Sequence, residues 1–332
     1  MQRPTLEDVA RAAGVSRATV SRVVRQDTGV SSTTVARVQQ AVAELGYVPN
    51  SAARVLASGT TNTIALVVPE PDERVFSDPF FGLAVSGISA GLEPTGMQLV
   101  MAFAPTTGRP TATIQFLLAG GVAGVIVMSH HRSDGLARAV VDLPLPSVFL
   151  GAPLAVDTER VQMHTVDTDN FRGGQLAGAH LVSLGVARPA TITGPLDMNA
   201  STDRLDGFRR SIAAAGLEAM VAEGDFSQES GQLCAAQLLD AADVDALFVA
   251  SDHMAEGALR ELHARGLRPG EDVKVVGFDD FSVAKSLGLT TIANPAVQLG
   301  REAAQMVTEL IDHGTTRSPR ILPVTLNIRD TA

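Results

Sequence analysis

Apolar residues recur at two different spacings along this chain of 332 residues, and the change of spacing divides it into a head and a body. From residue 5 to residue 45, apolar side chains recur every three or four positions, as in amphipathic helices. From residue 64 onward, short continuous apolar runs such as Ile64–Val68 and Val122–Val127 alternate with segments of helical spacing. Such runs are typical of strands buried on both faces of a parallel sheet. The pattern predicts a small helical domain followed by an α/β body.

The body repeats this alternation often enough to predict more than one sheet. A helix is predicted from Phe80 to Leu92, and a final strand from Pro319 to Leu326. A body of roughly 270 residues is longer than most domains that are built on a single sheet, so we expect two lobes of parallel strands. Ligands of such folds bind at the carboxyl ends of the strands, here between the lobes. Further strands are predicted at Leu99–Phe103, Ser147–Leu150, Ala190–Thr193, Ala246–Ala250 and Val273–Val276.

The head contains start and stop signals for three short helices. Thr5-Leu-Glu-Asp8 has the pattern of a capping box, and Gly14 is placed to end the first helix. Ser16 and Ser31 can cap the second and third helices. Two short helices joined by a tight glycine turn form a helix-turn-helix. We expect the third helix, with Val35, Val38, Val42 and Leu45 on its apolar face, to complete a three-helix core.

The second helix carries four residues off its apolar face: Arg17, Ala18, Ser21 and Arg22. In a helix-turn-helix, the N-terminal part of the second helix enters the major groove of DNA. Arginine can bind guanine O6 and N7 together, and alanine can contact a thymine methyl group. An arginine pair alone is more often a solvated helix face, so the surrounding motif is what favours base contact.

The distribution of charge supports a head that binds DNA. The chain has a net charge of −10, but residues 1–60 hold seven arginines and four acidic residues, a balance of +3. A small basic head on an acidic body is expected when only the head contacts phosphates. The single cysteine, Cys234, excludes an internal disulfide framework and a cysteine-rich metal site. No apolar run is long enough to span a membrane, and the first eight residues lack the apolar segment of a signal peptide, so we expect a cytoplasmic protein.

Three head motifs, in this order and spacing, resemble the lac repressor family of bacterial regulators: Thr5-Leu-Glu-Asp-Val-Ala10, Gly14-Val-Ser-Arg-Ala-Thr-Val-Ser-Arg-Val23 and Leu45-Gly-Tyr-Val-Pro-Asn50. The resemblance implies a hinge helix over residues 51–58 that folds only on operator DNA. It also implies that Leu56 enters the minor groove and that Ala53 faces the partner hinge, while Asn50 can cap the hinge helix. The expected DNA-binding residues are Thr5, Ser16, Arg17, Ala18, Ser21, Arg22, Asn50, Ala53 and Leu56.

The body resembles the type I periplasmic binding-protein fold. Five motifs carry this resemblance: Asp78–Phe81, Asp203–Phe208, Ala250–Gly257, Val275–Asp280 and Leu289–Ile292. It implies a helix-turn-helix domain at 1–49, a hinge and linker at 50–60 and a body at 61–332. Within the body, it implies an N-terminal lobe at about 61–164 and 294–322 and a C-terminal lobe at about 165–293 and 323–332.

The family pattern also places candidate effector contacts in the cleft. It points Arg204 at ligand oxygens, where the alternative is a surface ion pair with Asp203 or Asp206. Asp279 follows a predicted strand and can accept hydrogen bonds from sugar hydroxyls, with Asp280 as its structural neighbour. Phe80 and Phe81 can stack on a sugar or pack in the core. The expected effector contacts are Phe80, Phe81, Arg204, Phe226, Ser251, Asp252, Asp279 and Asn294.

These features predict a sequence-specific transcription regulator, most simply a repressor that binds a palindromic operator as a homodimer and is released by a small molecule. Ile64–Pro71 with Asp78–Phe81 is similar to cellobiose and glycan-utilisation regulators, which favours a sugar or oligosaccharide effector. Relatives often carry asparagine at the position of Ser251 and aspartate at that of Gly151, so a nucleoside or a protein corepressor stays open as an alternative. No heptad repeat follows the predicted last strand, which favours a dimer over a tetramer.

Two other classes of protein fit the sequence less well. A periplasmic solute-binding protein would have a signal peptide and no head, and a sugar kinase with a DNA-binding head needs phosphate-binding loops. The sequence has no HExxH, no Walker loop and no GxGxxG after the first body strand. Adjacent positions such as His130 and His131 face apart, so a loop surface or a minor ligand contact is favoured over a metal pair. We therefore predict no catalytic residue, no metal site and no cofactor.

Overall fold

The structure is a computed structural model that describes residues 4–24, 29–47, 61–105, 108–119, 121–133, 135–154 and 162–332. It contains two compact units, Met1–Thr61 and Asn62–Ala332. The hinge predictions for Asn50, Ala53 and Leu56 lie outside the described residues. Within the described ranges, no helix is long and apolar enough to cross a membrane.

The first unit contains the three predicted helices, α1 (Leu6–Ala13), α2 (Arg17–Val24) and α3 (Ser32–Leu45). The capping box is present, because the Thr5 hydroxyl accepts from the Asp8 N–H and the Asp8 carboxylate accepts from the Thr5 N–H. Gly14 ends α1 with a φ of 61°, a left-handed conformation that favours glycine. Ser31 caps α3 by accepting from the Thr34 N–H.

The core of the head is formed by one face of each helix. Val9, Val20 and Val38 are fully buried, one from each of α1, α2 and α3. Leu45 departs from the prediction, because it is 37% exposed, whereas Tyr47 just beyond the helix is buried. The apolar spacing of the sequence continues about one helical turn beyond the α3 residues that pack in the small core.

The first lobe of the second unit is built on a six-stranded parallel sheet with the order β11-β5-β4-β3-β1-β2. Buried apolar residues lie on both faces of this sheet, which is covered by helices. Its strands are β1 (Thr63–Val68), β2 (Gln98–Phe103), β3 (Gly124–Met128), β4 (Ser147–Leu150), β5 (Thr165–Thr168) and β11 (Arg320–Leu322). Its helices are α4 (Asp72–Ser77), α5 (Pro79–Leu92), α6 (Thr111–Leu118), α7 (Leu136–Val141) and α13 (Ala296–His313), with a 3-10 turn at Glu93–Thr95.

The second lobe has the same layered plan, with the strand order β12-β10-β9-β8-β6-β7. Only β12 runs antiparallel to its neighbour. Its strands are β6 (Pro189–Thr193), β7 (Met220–Glu223), β8 (Ala246–Val249), β9 (Lys274–Asp279), β10 (Thr290–Ala293) and β12 (Thr325–Asn327). Its helices are α8 (Asn170–Ser183), α9 (Asn199–Ala214), α10 (Gln228–Ala241), α11 (Asp252–Ala264) and α12 (Ser282–Ser286).

The chain crosses between the lobes three times: after β5, after β10 and between β11 and β12. One predicted lobe boundary and one predicted strand differ from the structure. Thr165–Thr168 pairs with β4 in the first sheet, so the first lobe extends past residue 164. The predicted last strand is two strands in different sheets, separated at Pro323, which has no N–H for a sheet hydrogen bond.

Paired helices approach closely where glycines face each other. A Cβ added to Gly174 of α8 would lie 2.1 Å from the Arg204 carbonyl oxygen, and one added to Gly207 of α9 would lie 2.0 Å from the Phe171 carbonyl oxygen. Gly87 and Gly300 join α5 to α13 in the same reciprocal way, and Gly231 and Gly257 join α10 to α11. The glycines let the backbones of each pair come together, and in the α8–α9 pair this sets the position of Arg204.

Candidate functional site

A cavity lies between the two lobes, at the carboxyl ends of strands from both sheets. This is the position predicted for a ligand site in the fold. Seven of the eight predicted effector contacts line it: Phe80, Phe81, Arg204, Phe226, Ser251, Asp279 and Asn294. The cavity is also lined by residues that were not predicted from the sequence, among them Arg74, Asp78, Asp167 and Asn170.

Arg204 is the buried cation of this cavity. It projects from α9, donates from Nε to Asn170 Oδ1 at 2.9 Å and from Nη1 to the Ala250 carbonyl oxygen at 2.6 Å. Its guanidinium also lies 3.6 Å from the centre of the Phe278 ring. Burial lowers the pKa of Arg204, and nearby carboxyl groups, Asp279 first, oppose this effect. The alternative of a surface ion pair with Asp203 or Asp206 is wrong.

Asp279 faces the same cavity from the end of β9. Its φ of 126° is rare for a residue with a side chain, and such backbone strain clusters at functional sites. Asn294 donates from Nδ2 to Asp279 Oδ1 at 3.0 Å, and its Oδ1 accepts from the Thr168 hydroxyl at 2.8 Å. Burial raises the pKa of Asp279 well above its usual value, while Arg204 acts in the opposite direction. Asp280, predicted as its structural neighbour, forms an ion pair with Arg329.

Two further carboxyl groups line the cavity. Asp167 accepts from the Thr168 N–H at 2.7 Å and from Asn170 Nδ2 at 3.0 Å, and burial raises its pKa to about 6. Asp78 caps α5 by accepting from the Phe80 N–H at 2.9 Å, and burial raises its pKa as well. The cavity therefore offers several carboxyl oxygens around one buried guanidinium, a set that can both accept hydrogen bonds from a polar ligand and donate to it.

Aromatic rings from both lobes complete the cavity. Phe80 and Phe81 are 5.7 Å apart in an edge-to-face arrangement, and Phe81, which is 1% exposed, also belongs to the core of the first lobe. Phe226 comes from the second lobe with a left-handed φ of 70°. The Arg74 guanidinium of the first lobe lies 5.1 Å from the centre of the Phe226 ring. Phe80 and Phe226 thus present apolar faces from opposite lobes.

Asp252 is the predicted contact that does not line the cavity. It is fully buried, and its carboxylate accepts from the Phe281 N–H at 2.9 Å and from the Thr291 hydroxyl at 2.6 Å. Burial raises its pKa to about 7. The preceding Ser251 does line the cavity and caps α11 by accepting from the Met254 N–H. These two hydrogen bonds hold the Asp252 carboxylate against Phe281 and Thr291, away from the cavity that Ser251 lines.

The two histidines have separate environments. His130 is buried, with Nε2 3.1 Å from the Gly151 carbonyl oxygen and its ring against Phe149. His131 is partly buried between two carboxylates, Glu70 and Asp197. His131 lies in the loop after β3, as predicted, and its partners there are protein carboxylates.

The predicted base-reading residues of the head lie together on α2. Arg17, Ala18 and Arg22 are exposed, and Ser21 is half-buried. Arg17 lies 3.7 Å from Glu7, an exposed ion pair that contributes little and can be replaced by a DNA contact. Ser16 caps the helix by accepting from the Thr19 N–H at 3.2 Å.

Comparison with known proteins agrees with both parts of the structure. Residues 5–50 match the lacI family of bacterial regulatory proteins, and residues 179–332 match a periplasmic binding protein-like domain. The HTH-type transcriptional regulator CelR of Thermobifida fusca is 44% identical over 97% of this chain and 96% of its own length. The ribose operon repressor of Escherichia coli (strain K12) is 31% identical over 96% of each chain.

Solved structures show the same similarity. A transcriptional regulator CelR–cellobiose complex has a TM-score of 0.77 and 41% identity, covering 99% of this chain and 100% of the other. The lac repressor dimer bound to operator and the anti-inducer ONPF has a TM-score of 0.87 and 30% identity, covering 99% of each.

The chain belongs to the lacI family of bacterial regulatory proteins. It is a DNA-binding transcription regulator with a helix-turn-helix head and a two-lobed body of the periplasmic binding-protein type. The predicted family, fold class and regulatory function are confirmed. The similar proteins are transcription regulators and not enzymes, which rules out the sugar kinase considered from the sequence.

Proposed function

We propose that this regulator is a homodimeric repressor and that a sugar bound in the cavity releases it from its operator. The observation that carries the proposal is the combination of Arg204 and Asp279 with the rings of Phe80 and Phe226 in one cavity. Sugar hydroxyls both donate and accept hydrogen bonds, so they suit a guanidinium flanked by carboxyl groups. The C–H face of a sugar ring is apolar and suits an aromatic side chain.

Cellobiose is the first sugar to test. A similar regulator of known structure binds it, and the present cavity has a phenylalanine on each side against which a sugar ring can stack. Ribose and a nucleoside are the alternatives. A ribose operon repressor and the HTH-type transcriptional repressor PurR of Vibrio atlanticus are also similar, at 31% and 30% identity. A protein corepressor is the third possibility.

The DNA-binding role of the head rests on exposed Arg17, Ala18 and Arg22, with Ser21 beside them on α2. Thr5 and Ser16 fix the starts of the two helices and lie at N-termini that suit phosphate contact. In the family pattern, Asn50 would cap the hinge helix and Ala53 would face the hinge helix of the partner subunit. Leu56 would enter the minor groove. A regulator that binds the bacterial chromosome acts in the cytoplasm, so we also propose that location.

The experiment is a calorimetric titration with cellobiose, ribose and the nucleoside guanosine, combined with operator binding measured with and without each compound. The operator is first selected from random DNA by the purified protein. We expect cellobiose to bind at the cavity and to weaken operator binding. Asp279→Asn should lower cellobiose affinity at least tenfold, because a carboxylate contact is lost, with operator affinity unchanged in the absence of sugar.

Three results would count against the proposal. Binding of guanosine alone would favour the nucleoside alternative. Cellobiose that strengthens operator binding would make the protein a corepressed regulator. Asp279→Asn with unchanged cellobiose affinity would place the sugar elsewhere. Lys285→Gln, at an exposed position on α12 and away from the cavity lining, is the control and should leave both affinities unchanged.

A further inference from the structure

A group of charged side chains joins the two lobes next to the cavity. Glu70 follows β1 and His131 follows β3, so both belong to the first lobe, whereas Asp197 follows β6 in the second lobe. The His131 ring lies between the two carboxylates, with Nδ1 2.7 Å from Asp197 Oδ1 and Nε2 3.0 Å from Glu70 Oε1. We call Glu70, His131 and Asp197 the interlobe clasp.

Glu70 and Asp197, the two carboxylates of the clasp, each form further hydrogen bonds. Glu70 is buried and also accepts from the Ser129 hydroxyl at 2.6 Å and from Arg74 Nη1 at 2.7 Å. On the other side, Asp197 is bonded to the chain that follows His131. The Arg132 N–H donates to the Asp197 carbonyl oxygen at 3.0 Å, and the Ser133 hydroxyl donates to its carboxylate at 3.2 Å.

The clasp requires a protonated imidazole. A neutral imidazole has one N–H and can donate to only one carboxylate, while its second nitrogen would face the other carboxylate as an acceptor. The imidazolium has two N–H groups and satisfies both. The hydrogen bond to Glu70 and, after it, the bond to Asp197 raise the pKa of His131 to about 8, although burial acts in the opposite direction.

The other charged groups near the clasp do not cancel the rise in the pKa of His131. Arg74 shares Glu70 with His131 and stacks on Phe226, so its charge is already opposed by a carboxylate. Glu223 accepts from the N–H of Leu196, next to Asp197, and adds a further negative charge on the side of the second lobe. Asp225 is also on that side. Burial acts to raise its pKa, but hydrogen bonds with Ser227 and Ser230 and, after them, the charge of Arg74 lower it below the usual value.

We propose that the clasp couples closure of the lobes to protonation of His131, so that the regulator binds its effector with uptake of a proton. When the lobes separate, His131 keeps Glu70, which is on its own lobe, and loses Asp197. Because the proton is held more tightly in the closed form, protonation must favour closure to the same extent. The regulator would then respond to pH as well as to its effector.

The expected size of the effect follows from these contacts. The ordinary pKa of histidine is 6.5 and that of His131 is about 8, so the closed form is most favoured below pH 6.5 and the advantage is lost as the pH rises through 8. One pKa unit corresponds to a tenfold change in an equilibrium constant, which sets a ceiling of ~30-fold. Glu70 is the larger cause and stays with His131, so we expect effector affinity to fall ~3–10-fold between pH 6.5 and pH 9.

The first experiment needs no effector. The histidine resonances of the full chain are titrated by NMR, and His131→Gln identifies the resonance of His131. We expect a midpoint near pH 8 that Asp197→Asn lowers, because the contact from the second lobe contributes to it. A midpoint near 6.5 in the unchanged protein, or no shift in Asp197→Asn, would overturn the proposal.

The second experiment measures the coupling, and it rests on the proposed sugar site. Cellobiose affinity is measured by calorimetry from pH 6.5 to pH 9 in the unchanged protein, in His131→Gln and in His313→Gln. His313 is exposed at the end of α13 and is the matched control. We expect the ~3–10-fold fall in the unchanged protein and in the control, and a smaller fall in His131→Gln. An identical pH profile in His131→Gln would contradict the clasp.

The two proposals can fail separately. If cellobiose does not bind at any pH, the proposed effector is wrong and the clasp is judged by X-ray scattering of the ligand-free chain. In that case we expect a smaller radius of gyration at pH 6.5 than at pH 9, and no such difference in His131→Gln. Equal radii at both pH values in the unchanged protein would overturn the clasp.

Discussion

At the scale of single residues, the burial of Asp167 predicts how the stability of the protein depends on pH. Its pKa is raised from 3.8 to about 6, mainly because burial disfavours the carboxylate. The folded state therefore holds the proton more tightly than the unfolded state, so ionisation of Asp167 costs stability as the pH rises from about 4 through 6. At about 1.36 kcal/mol per pKa unit, the cost above pH 7 is at most about 3 kcal/mol.

Asp167→Asn should remove this pH dependence. The free energy of unfolding of the variant, relative to that of the unchanged protein, should rise by about 2–3 kcal/mol between pH 4 and pH 7. Urea denaturation at a series of pH values measures it. The neutral amide can still accept from Thr168 and Asn170 but cannot accept from the Ala152 N–H at its second atom, so only the change with pH is diagnostic. A constant difference between the two proteins would show that Asp167 is ionised normally.

Arg17 and Arg22 carry a second prediction at this scale. Each is exposed on α2, and replacement of either by alanine should cost ~1–3 kcal/mol of operator binding and relax the base preference at one symmetric position. Binding to a library of operator variants measures both effects. Arg37→Ala, at an exposed position on α3, is the control and should change affinity equally for all sequences. Equal losses on all sequences for Arg17 and Arg22 would make them phosphate contacts.

Individual residues show which parts of the site the sequence could predict. Arg204 and Asp279 lie in recognisable motifs, and both line the cavity. Asp252 lies in a motif as well, but its orientation depends on contacts with Phe281 and Thr291, which are distant in sequence. His131 could not be predicted, because its two carboxylate partners come from different lobes and from positions 61 and 66 residues away.

At the scale of helices, the glycine contacts predict a coupling between packing and effector binding. Gly174→Ala would place a methyl group about 2.1 Å from the Arg204 carbonyl oxygen, so α8 and α9 must move apart. We expect a loss of ~1–3 kcal/mol in stability, or more, since the obstacle is backbone. Cellobiose affinity should fall as well, because Arg204 moves with α9.

Gly82→Ala is the matched control for this variant. Gly82 is an exposed residue of α5, and a Cβ there would have no atom within 4 Å. Alanine has the higher helix propensity, so the control should be more stable by up to ~1 kcal/mol and bind cellobiose unchanged. Denaturation and calorimetry on both variants test the pair. Equal stability of the two variants would mean that α8 and α9 can separate at no cost.

Secondary structure was predictable where the apolar run was long. β1 and β3 are runs of buried apolar residues and were found within two residues of their bounds. β5 was missed because Thr165-Val-Asp-Thr168 is short and mostly polar, although all four residues are buried. Two of the cavity residues missed from the sequence lie here: Asp167 belongs to this strand, and Asn170 is the first residue of the helix that follows it. The omission of the strand therefore explains their omission.

At the scale of the whole molecule, the separation of charge predicts how operator binding responds to salt. The head has a net positive charge although the whole chain is acidic, and each phosphate that the head neutralises should contribute about −0.9 to the slope of log affinity against log salt concentration. Operator binding at a series of salt concentrations measures this slope. Arg260→Gln, an exposed cation on α11, should leave it unchanged. Affinity independent of salt would contradict DNA binding by the basic head.

The three crossings between the lobes determine what a protease can separate. A single cut in one crossing leaves the lobes joined by the other two, so a nicked body should stay together until it is denatured. The head is joined to the body by one stretch of chain, between residues 47 and 61, so one cut there leaves no covalent link between them. Limited digestion should therefore release a fragment of about fifty residues and leave a product that still binds the effector but no longer recognises its operator. Such cleavage would remove repression permanently, whatever the effector concentration.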